Sequence, residues 1–302
     1  MIAWVRLHTP VTTSSTYACY ARQYLAFAEA SRMEPADPVT VASFMRDCLE
    51  RPKPLARSTI NSSVLSAIAD LYRYKSVSPT HDPLDQAKRV VVRLTKPPRP
   101  KLPLTIPMLV AMARAAVPAE SSIRDVFMFV LMFLGFLRED EVTSLMFPDI
   151  WVGMMEGVVE EVLFIRVRKS KTDPGRNGCT VVLVSCAHSV LCPVRWFRLH
   201  CRVRRSRTHV FHAVGPDALP LARTTPNSLL KKWLGVIGVD PKLYGSHSLR
   251  RGGATAAAAL AVRVHILKRH GRWASDAVYL YIQDPNEARL EVSRALLAVP
   301  VE

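Results

Sequence analysis

From position 138 onward, this sequence carries cationic and aromatic side chains whose types and spacing suit the holding of an anion. Arg138 closes the apolar run Val126 to Leu137, and Glu141 stands one turn on, placed to pair with it or orient it. Taken alone, such an arginine is an ordinary helix-surface residue. Lys169 and Lys171 stand at the rim of an expected hairpin, and strand parity puts both on the face of Leu163, Ile165 and Val167. Lysines turned inward there either snorkel to water or meet an anion. In His247-Ser248-Leu249-Arg250 the i,i+3 spacing directs His247 and Arg250 at one target if the segment is helical. Gly252-Gly253 follow, and let another backbone or a ligand approach closely. Last comes the run His270 to Ile282, where Ser275 suits the N-cap of a short helix bearing Tyr279 and Tyr281. Residues two apart on a helix point roughly 200° apart, so one tyrosine at most enters a given pocket.

These side chains need a scaffold, and the periodicity supplies one. Four prolines fall in Lys96-Pro97-Pro98-Arg99-Pro100-Lys101-Leu102-Pro103, which forbids a helix and marks a semi-rigid basic strap between two domains. The expected division is 1–95 as a helical domain, 96–104 as linker and 105–302 as the second domain. Before the strap, helices are expected over Ser14 to Ala30, Val39 to Leu49, Ser58 to Tyr74 and Asp85 to Leu94. In the third, Ile60, Val64, Ala67 and Leu71 share a face, and Arg57 lies beside it. After the strap, Thr105 caps a helix through Val117. Ser121 or Ser122 caps the next, expected to run through Leu137 and on to Met146. The period then changes: Val162 to Val167 alternates, a turn cluster spans Asp173 to Gly178, and Thr180 to Val184 is β-branched. Helices resume from Pro193. The fold class is mainly α: a helical N-terminal bundle, then a helical domain with a small antiparallel sheet.

Composition narrows the partners. The 302 residues hold 41 Lys+Arg against 25 Asp+Glu, a formal charge of +16, with 49% apolar residues to build a core. A polyanion is the simplest partner for that excess. An anionic membrane would call for a basic amphipathic helix or a lipid anchor, and neither is visible. The N-terminal residues do not read as a secretory leader, and Val126 to Leu137 is too short to span a bilayer. Cys186, His188, Cys192, His200 and Cys201 match no common zinc spacing, so free thiols and no metal are expected. The run Arg195, Arg198, Arg202, Arg204, Arg205, Arg207 reads as a phosphate-facing or solvated helix face.

The order Arg, Lys, His-x-x-Arg, Trp, Tyr resembles the tyrosine recombinase (phage integrase-like) family. The matching pieces are Gly135-Phe136-Leu137-Arg138 with Glu141 and Leu145, Ser170-Lys171-Thr172, His247-Ser248-Leu249-Arg250, and Gly271-Arg272-Trp273 with Tyr281-Ile282. The run Gly-Arg-Trp-x-Ser-x-Ala-x-x-x-Tyr-Ile looks most like the branch found in eukaryotic mobile elements. The resemblance implies DNA strand cleavage and rejoining through a 3′-phosphotyrosyl link, with no cofactor, metal or ATP. Tyr281 would be the nucleophile, and Lys171 the acid for the leaving 5′-oxygen. Arg138, Arg250 and His247 would hold the phosphate, with Trp273 packing against the nucleophile's helix. Relatives space a His or Trp nine residues before the tyrosine. Trp273 to Tyr281 is eight and His270 to Tyr279 is nine, so Tyr279 with His270 stays open as an alternative, as does Lys169 for Lys171. Duplex DNA would be gripped by Arg57, Lys96, Arg99, Lys101, Arg202, Arg204 and Arg205 among others. A tetramer on DNA would form through a C-terminal helix, 286–299, which packs on its own domain in the alternative reading. The place of action would be intracellular and DNA-associated: the nucleus for a eukaryotic element, otherwise cytoplasm or nucleoid. A DNA-binding relative without cleavage, and type IB topoisomerase-like relaxation, are the rival activities.

Overall fold

The computed structural model describes residues 11–72, 82–95, 100–168, 178–213, 218–273, 275–282, 290 and 293–294. Lys96, Arg99, Lys169, Lys171 and nearly all of 286–299 lie outside the described residues. The chain divides into two compact units, Met1–Arg99 and Pro100–Glu302. Among the described residues no helix is long and apolar enough to cross a membrane.

The first unit is helical: α1 (Val11–Ala30), α2 (Pro38–Glu50), α3 (Leu65–Tyr72) and α4 (Asp82–Leu94). Asp37 starts α2 by accepting from the Val39 amide at 2.8 Å, with Pro38 in the first turn where its missing N–H costs nothing. The single helix expected from Ser58 is instead a π-helical stretch, Thr59–Val64, that runs into α3. The Ser62 hydroxyl donates to the Ser58 carbonyl and competes with the backbone ladder. Leu65 then reaches back to Ile60, five residues away. Ile60 and Val64 still reach the core with Tyr24, Phe44, Met45 and Ile68. Arg57 donates to the Val92 carbonyl at 3.5 Å within this unit.

The second unit is built around one helix. After α5 (Ile106–Ala115), whose N-cap Thr105 accepts from Met108 at 3.4 Å, comes α6 (Glu120–Leu134). Every residue from Ile123 to Phe133 is buried, so α6 is covered on all sides. It packs against α8 (Pro193–Val203) and α10 (His247–Ala259). Neither Ser121 nor Ser122 caps it: Ala119 occupies that position and provides no side-chain bond. The expected continuation to Met146 also fails. Gly135 caps α6, Phe136 turns left-handed at φ 49°, and a separate short helix, α7 (Glu139–Thr143), begins. An apolar run sees only the need for burial, whereas the break is set by where the Phe136 ring and carbonyl are wanted.

The sheet has three antiparallel strands in the order β1 (Ile150–Gly153), β2 (Val162–Val167), β3 (Cys179–Val184). The hairpin follows the expected alternation, with Leu163, Ile165, Val167, Val181 and Leu183 inward. β1 is an addition that four residues of sequence did not signal. Its Ile150 pairs with Ile165, and its Trp151 stacks on Phe164 at 5.3 Å on the outer face. Helices α9 (Thr225–Val236) and α11 (Val264–Gly271) complete the unit, followed by a 3-10 turn, Asp276–Leu280.

Candidate active site

The break after α6 positions the first arginine. Arg138 sits at the N-cap of α7, and its amide donates to Glu141 Oε2 at 2.9 Å. Its Nη1 reaches Oε1 of the same carboxylate at 2.6 Å. The i,i+3 pair expected from sequence is therefore present, closed through both backbone and side chain. Burial alone would raise the Glu141 carboxyl, but the Arg272 charge, the Arg138 amide and the Arg138 guanidinium together hold it below the ordinary glutamate value.

Helix α10 delivers His247 and Arg250. It approaches closely because Gly252 and Gly253 carry no side chain. A Cβ would come within 2.0 Å of the Leu104 carbonyl oxygen at the first and of the Phe133 carbonyl oxygen at the second. The neighbour that the glycines admit is backbone. Arg250 is fully buried. Its Nη1 donates to the Phe136 carbonyl and its Nη2 to the Gly271 carbonyl. The guanidinium thus joins the break after α6 to the end of α11, rather than lying open at the surface. Burial first, then the Arg138 and Arg272 cations, press its proton affinity down, against Glu141. His247, at the start of α10, is held below its ordinary pKa by desolvation first. Glu139 and Asp140 pull the other way, and Arg250 and Arg138 add to the lowering. The imidazole thus lies in the field of both arginines.

The tyrosine segment closes the group. The Trp273 ring lies 4.4 Å from the Arg250 guanidinium carbon and 5.1 Å from the Tyr281 ring. Tyr281 is half-buried, its ring 5.7 Å from the same guanidinium, and its carbonyl accepts from Thr255 Oγ1 at 2.8 Å. Ser275 accepts from the Ala277 amide at 3.4 Å and starts the turn as expected. Tyr279 is 60% exposed. His270 turns inward, sharing a hydrogen bond with the Leu134 carbonyl at 2.7 Å and meeting Phe136 edge-on at 4.7 Å. Desolvation first, then Arg272 and Arg250, keep it below its ordinary pKa despite that bond. The structure thus brings together Arg138, Glu141, His247, Arg250, Trp273 and Tyr281, and leaves Tyr279 outside the group.

Arg272 was not singled out from the sequence. Its guanidinium meets Glu141 Oε2 and the Phe136 carbonyl, both at 2.8 Å, the His270 carbonyl at 3.0 Å and the Gly135 carbonyl at 3.3 Å. A signal was present: Arg272 stands nine residues before Tyr281 (281 − 272 = 9).

The expected DNA contacts fare unevenly. Lys101 donates to the Lys242 carbonyl. Arg202 is exposed at the end of α8. Arg204 lies 3.6 Å above the Phe147 ring, and Arg205 stands 3.4 Å from Glu120. Part of the basic run is thus engaged within the protein. Among the described residues no cluster of three or more His, Cys, Asp or Glu is placed to hold a metal.

No profile of a known protein family matches the chain. An integrase/recombinase described as a xerD homolog, from Selenomonas ruminantium, is 26% identical over 271 residues, covering 83% of this chain and 75% of its own. Among solved structures, XerH site-specific recombinase bound to palindromic difH substrate, a post-cleavage complex, aligns with a TM-score of 0.65 at 15% identity. That alignment covers 95% of this chain and 80% of the other. The Tn1549 transposon integrase in complex with transposon right end DNA gives 0.64 at 14% identity, over 97% of this chain and 95% of its own. A lambda integrase dimer bound to a core site gives 0.55 at 13%, over 89% and 77%. Mainly helical, with three antiparallel strands and the cation–tyrosine cluster at the end of its central helix, this chain has the fold of the tyrosine recombinases.

Proposed function

We propose that this protein is a site-specific DNA recombinase or integrase that cleaves and rejoins strands through a 3′-phosphotyrosyl intermediate. The observation that carries the proposal is the seating of Tyr281 against Trp273 and Arg250, beside Arg138 and His247, while Tyr279 faces solvent. Tyr281 Oη passes its proton to His247 and attacks the phosphorus, the bond to the 5′-oxygen breaks, and that oxygen leaves with a proton. The phosphodiester's energy is conserved in the tyrosyl link, so rejoining is the same step reversed. Lys171, outside the described residues, is the proposed donor of that proton, with Lys169 as its alternate.

The transition state gathers charge on the non-bridging oxygens, where fixed cations act most strongly. Arg138 presents a fork there, already oriented by Glu141. Arg250 is held by two carbonyls, so phosphate engages it by exchanging one carbonyl for an oxygen. His247, kept below its ordinary pKa, is neutral near pH 7 and can donate or accept. These cations supply charge stabilisation that metal ions supply in other phosphoryl-transfer sites.

Placement among eukaryotic mobile elements, and with it the nucleus, rests on the Gly-Arg-Trp-x-Ser-x-Ala-x-x-x-Tyr-Ile run alone. Tetramer formation through 286–299 is proposed from the resemblance. Its apolar residues Leu290, Val292, Leu296 and Leu297 are the ones to change in an assembly test.

The deciding assay uses a library of nicked duplexes with randomised flanks. Covalent protein–DNA adducts are collected under denaturing conditions and sequenced. Recovery of a common sequence by the wild type, and none by Tyr281→Phe, supports the proposal. Equal recovery by Tyr281→Phe overturns the assignment of the nucleophile. Duplex binding with no adduct favours a binding-only protein.

A further inference from the structure

Arg272 occupies a position that ordinarily belongs to glycine. It is the residue after α11, with φ 57° and ψ 42°. Its amide and the next close the helix end, Arg272 to the Arg269 carbonyl at 3.1 Å and Trp273 to Lys268 at 3.0 Å. Left-handed caps of this kind favour glycine because a Cβ crowds the backbone there. An arginine is disfavoured at such a site, and its presence calls for a reason outside the helix.

The reason lies in its contacts. The side chain is 8% exposed and spans two elements. On one side it leaves the tyrosine segment; on the other it meets the Gly135 and Phe136 carbonyls and Glu141, all in the break after α6. Glu141 divides its oxygens: Oε1 goes to the Arg138 guanidinium, and Oε2 to Arg272 and the Arg138 amide. Held by Arg272 and the Arg138 amide together, Oε2 limits rotation of the carboxylate and keeps Oε1 turned to the Arg138 guanidinium. The Phe136 carbonyl is shared in the same way, accepting from both Arg272 and Arg250. Phe136 is itself left-handed. Two residues in conformations that side chains disfavour are therefore tied to each other, between the first arginine and the tyrosine. A buried ion pair is a poor way to gain stability alone, since apolar packing of equal volume does as well.

We propose that Arg272 is a positioning residue of the strand-cleavage reaction: through Glu141 it sets the Arg138 guanidinium, and through Phe136 it holds the tyrosine segment in register with Arg250. This role rests on the recombinase reading above. Its charge is spent on Glu141 and carbonyls, so it adds little to duplex affinity.

The test exploits the cap. Arg272→Gly relieves the backbone and removes the whole side chain with its guanidinium, while Arg272→Lys keeps the stem and returns a cation without the fork. The probe is a nicked duplex recovered by the wild-type chain from the randomised library. The expected result for Arg272→Gly is a chain that still melts cooperatively, at a lowered temperature because a buried ion pair is broken, with duplex affinity and salt slope of the folded fraction within about threefold and its adduct formation slowed roughly 100-fold. Its acid limb should move to higher pH, because Glu141 with one cation fewer takes up a proton earlier. Arg272→Lys should recover about tenfold of the loss. A folded Arg272→Gly that forms adduct at the wild-type rate overturns the role. So does a loss confined to affinity, or an unmoved acid limb. A wild-type chain that captures no duplex overturns the recombinase reading itself, and the role with it.

Discussion

Two buried polar clusters flank α6, one in its second turn at Arg124 and Asp125 and one past its end at Arg138 and Glu141, and they are built on opposite principles. At the start, Arg124 meets Asp125 at 2.6 Å, and the other Asp125 oxygen accepts from the Trp233 indole at 3.0 Å. Arg124 also donates to the His212 carbonyl at 2.9 Å. Beside them His200, fully buried, is pushed down to about 4, by desolvation first, and stays neutral while bonded to the Val210 carbonyl. One cation faces one anion, and the imidazole carries no charge. Past the other end of α6, the Arg138 and Arg272 guanidiniums share Glu141, and Arg250 donates to the Phe136 and Gly271 carbonyls. A cluster that only stabilises a fold neutralises its charges, because an uncompensated buried charge costs several kcal/mol. Among the described residues the second cluster gathers three guanidiniums around one carboxylate, an arrangement that suits the phosphate chemistry proposed for it.

The sharpest break of this comparison is at the tyrosines. Tyr281→Phe should abolish the covalent adduct, and Tyr279→Phe should keep it within about threefold, read on denaturing gels with the recovered duplex. The reverse pattern would move the site to the exposed tyrosine. Next in size, Arg138→Met should slow adduct formation by the folded fraction roughly 100- to 1000-fold, besides the stability lost with its ion pair to Glu141. Arg124→Met should cost about 3–5 kcal/mol of stability in urea titrations while the folded fraction keeps its rate. If both variants lose rate equally, the two clusters are not separable as drawn. Gly271→Ala should act on both properties, since a Cβ would lie 1.9 Å from the Trp273 ring. Displacing that ring should cost about 1–3 kcal/mol and loosen the seat of Tyr281.

The smallest effects are in pH. The folded pKa of His200 lies below its unfolded value, so the unfolded chain binds the proton more readily. Its contribution is fully present above about 6.5 and is lost as pH falls through that value towards about 4. His200→Gln should flatten urea midpoints across this range. Glu141 is also depressed, so its contribution is present above the ordinary glutamate value of about 4.3 and lost as pH falls through its lower folded pKa. Glu141→Gln should therefore alter the profile only at the acid end. A change confined to neutral pH would contradict both assignments.

Much of this was legible in the sequence, and the misses have physical causes. The hairpin alternation, the Thr105 start and the i,i+3 pair Arg138–Glu141 are local, set by backbone geometry within a few residues. The end of α6 was not legible: the apolar run continues to Leu137, and only contacts of Phe136 with His270, Arg250 and Arg272 turn the chain at Gly135. The short strand β1 depends on partners nine to fifteen residues away, so nothing in its four residues announces it.

For the site, the order of residue types named the set through its resemblance to a known family, and the structure brings Arg138, Glu141, His247, Arg250, Trp273 and Tyr281 together, while Lys171 lies outside the described residues. Which tyrosine meets Arg250 is a matter of which way a five-residue 3-10 turn faces, and that was decided by the packing of Trp273 and Val278. Arg250 as a buried clasp, and Arg272 as the residue that shares Glu141 with Arg138, are likewise products of the tertiary structure. They depend on backbone carbonyls at Phe136 and Gly271, positions remote in sequence whose carbonyl directions no side-chain pattern encodes.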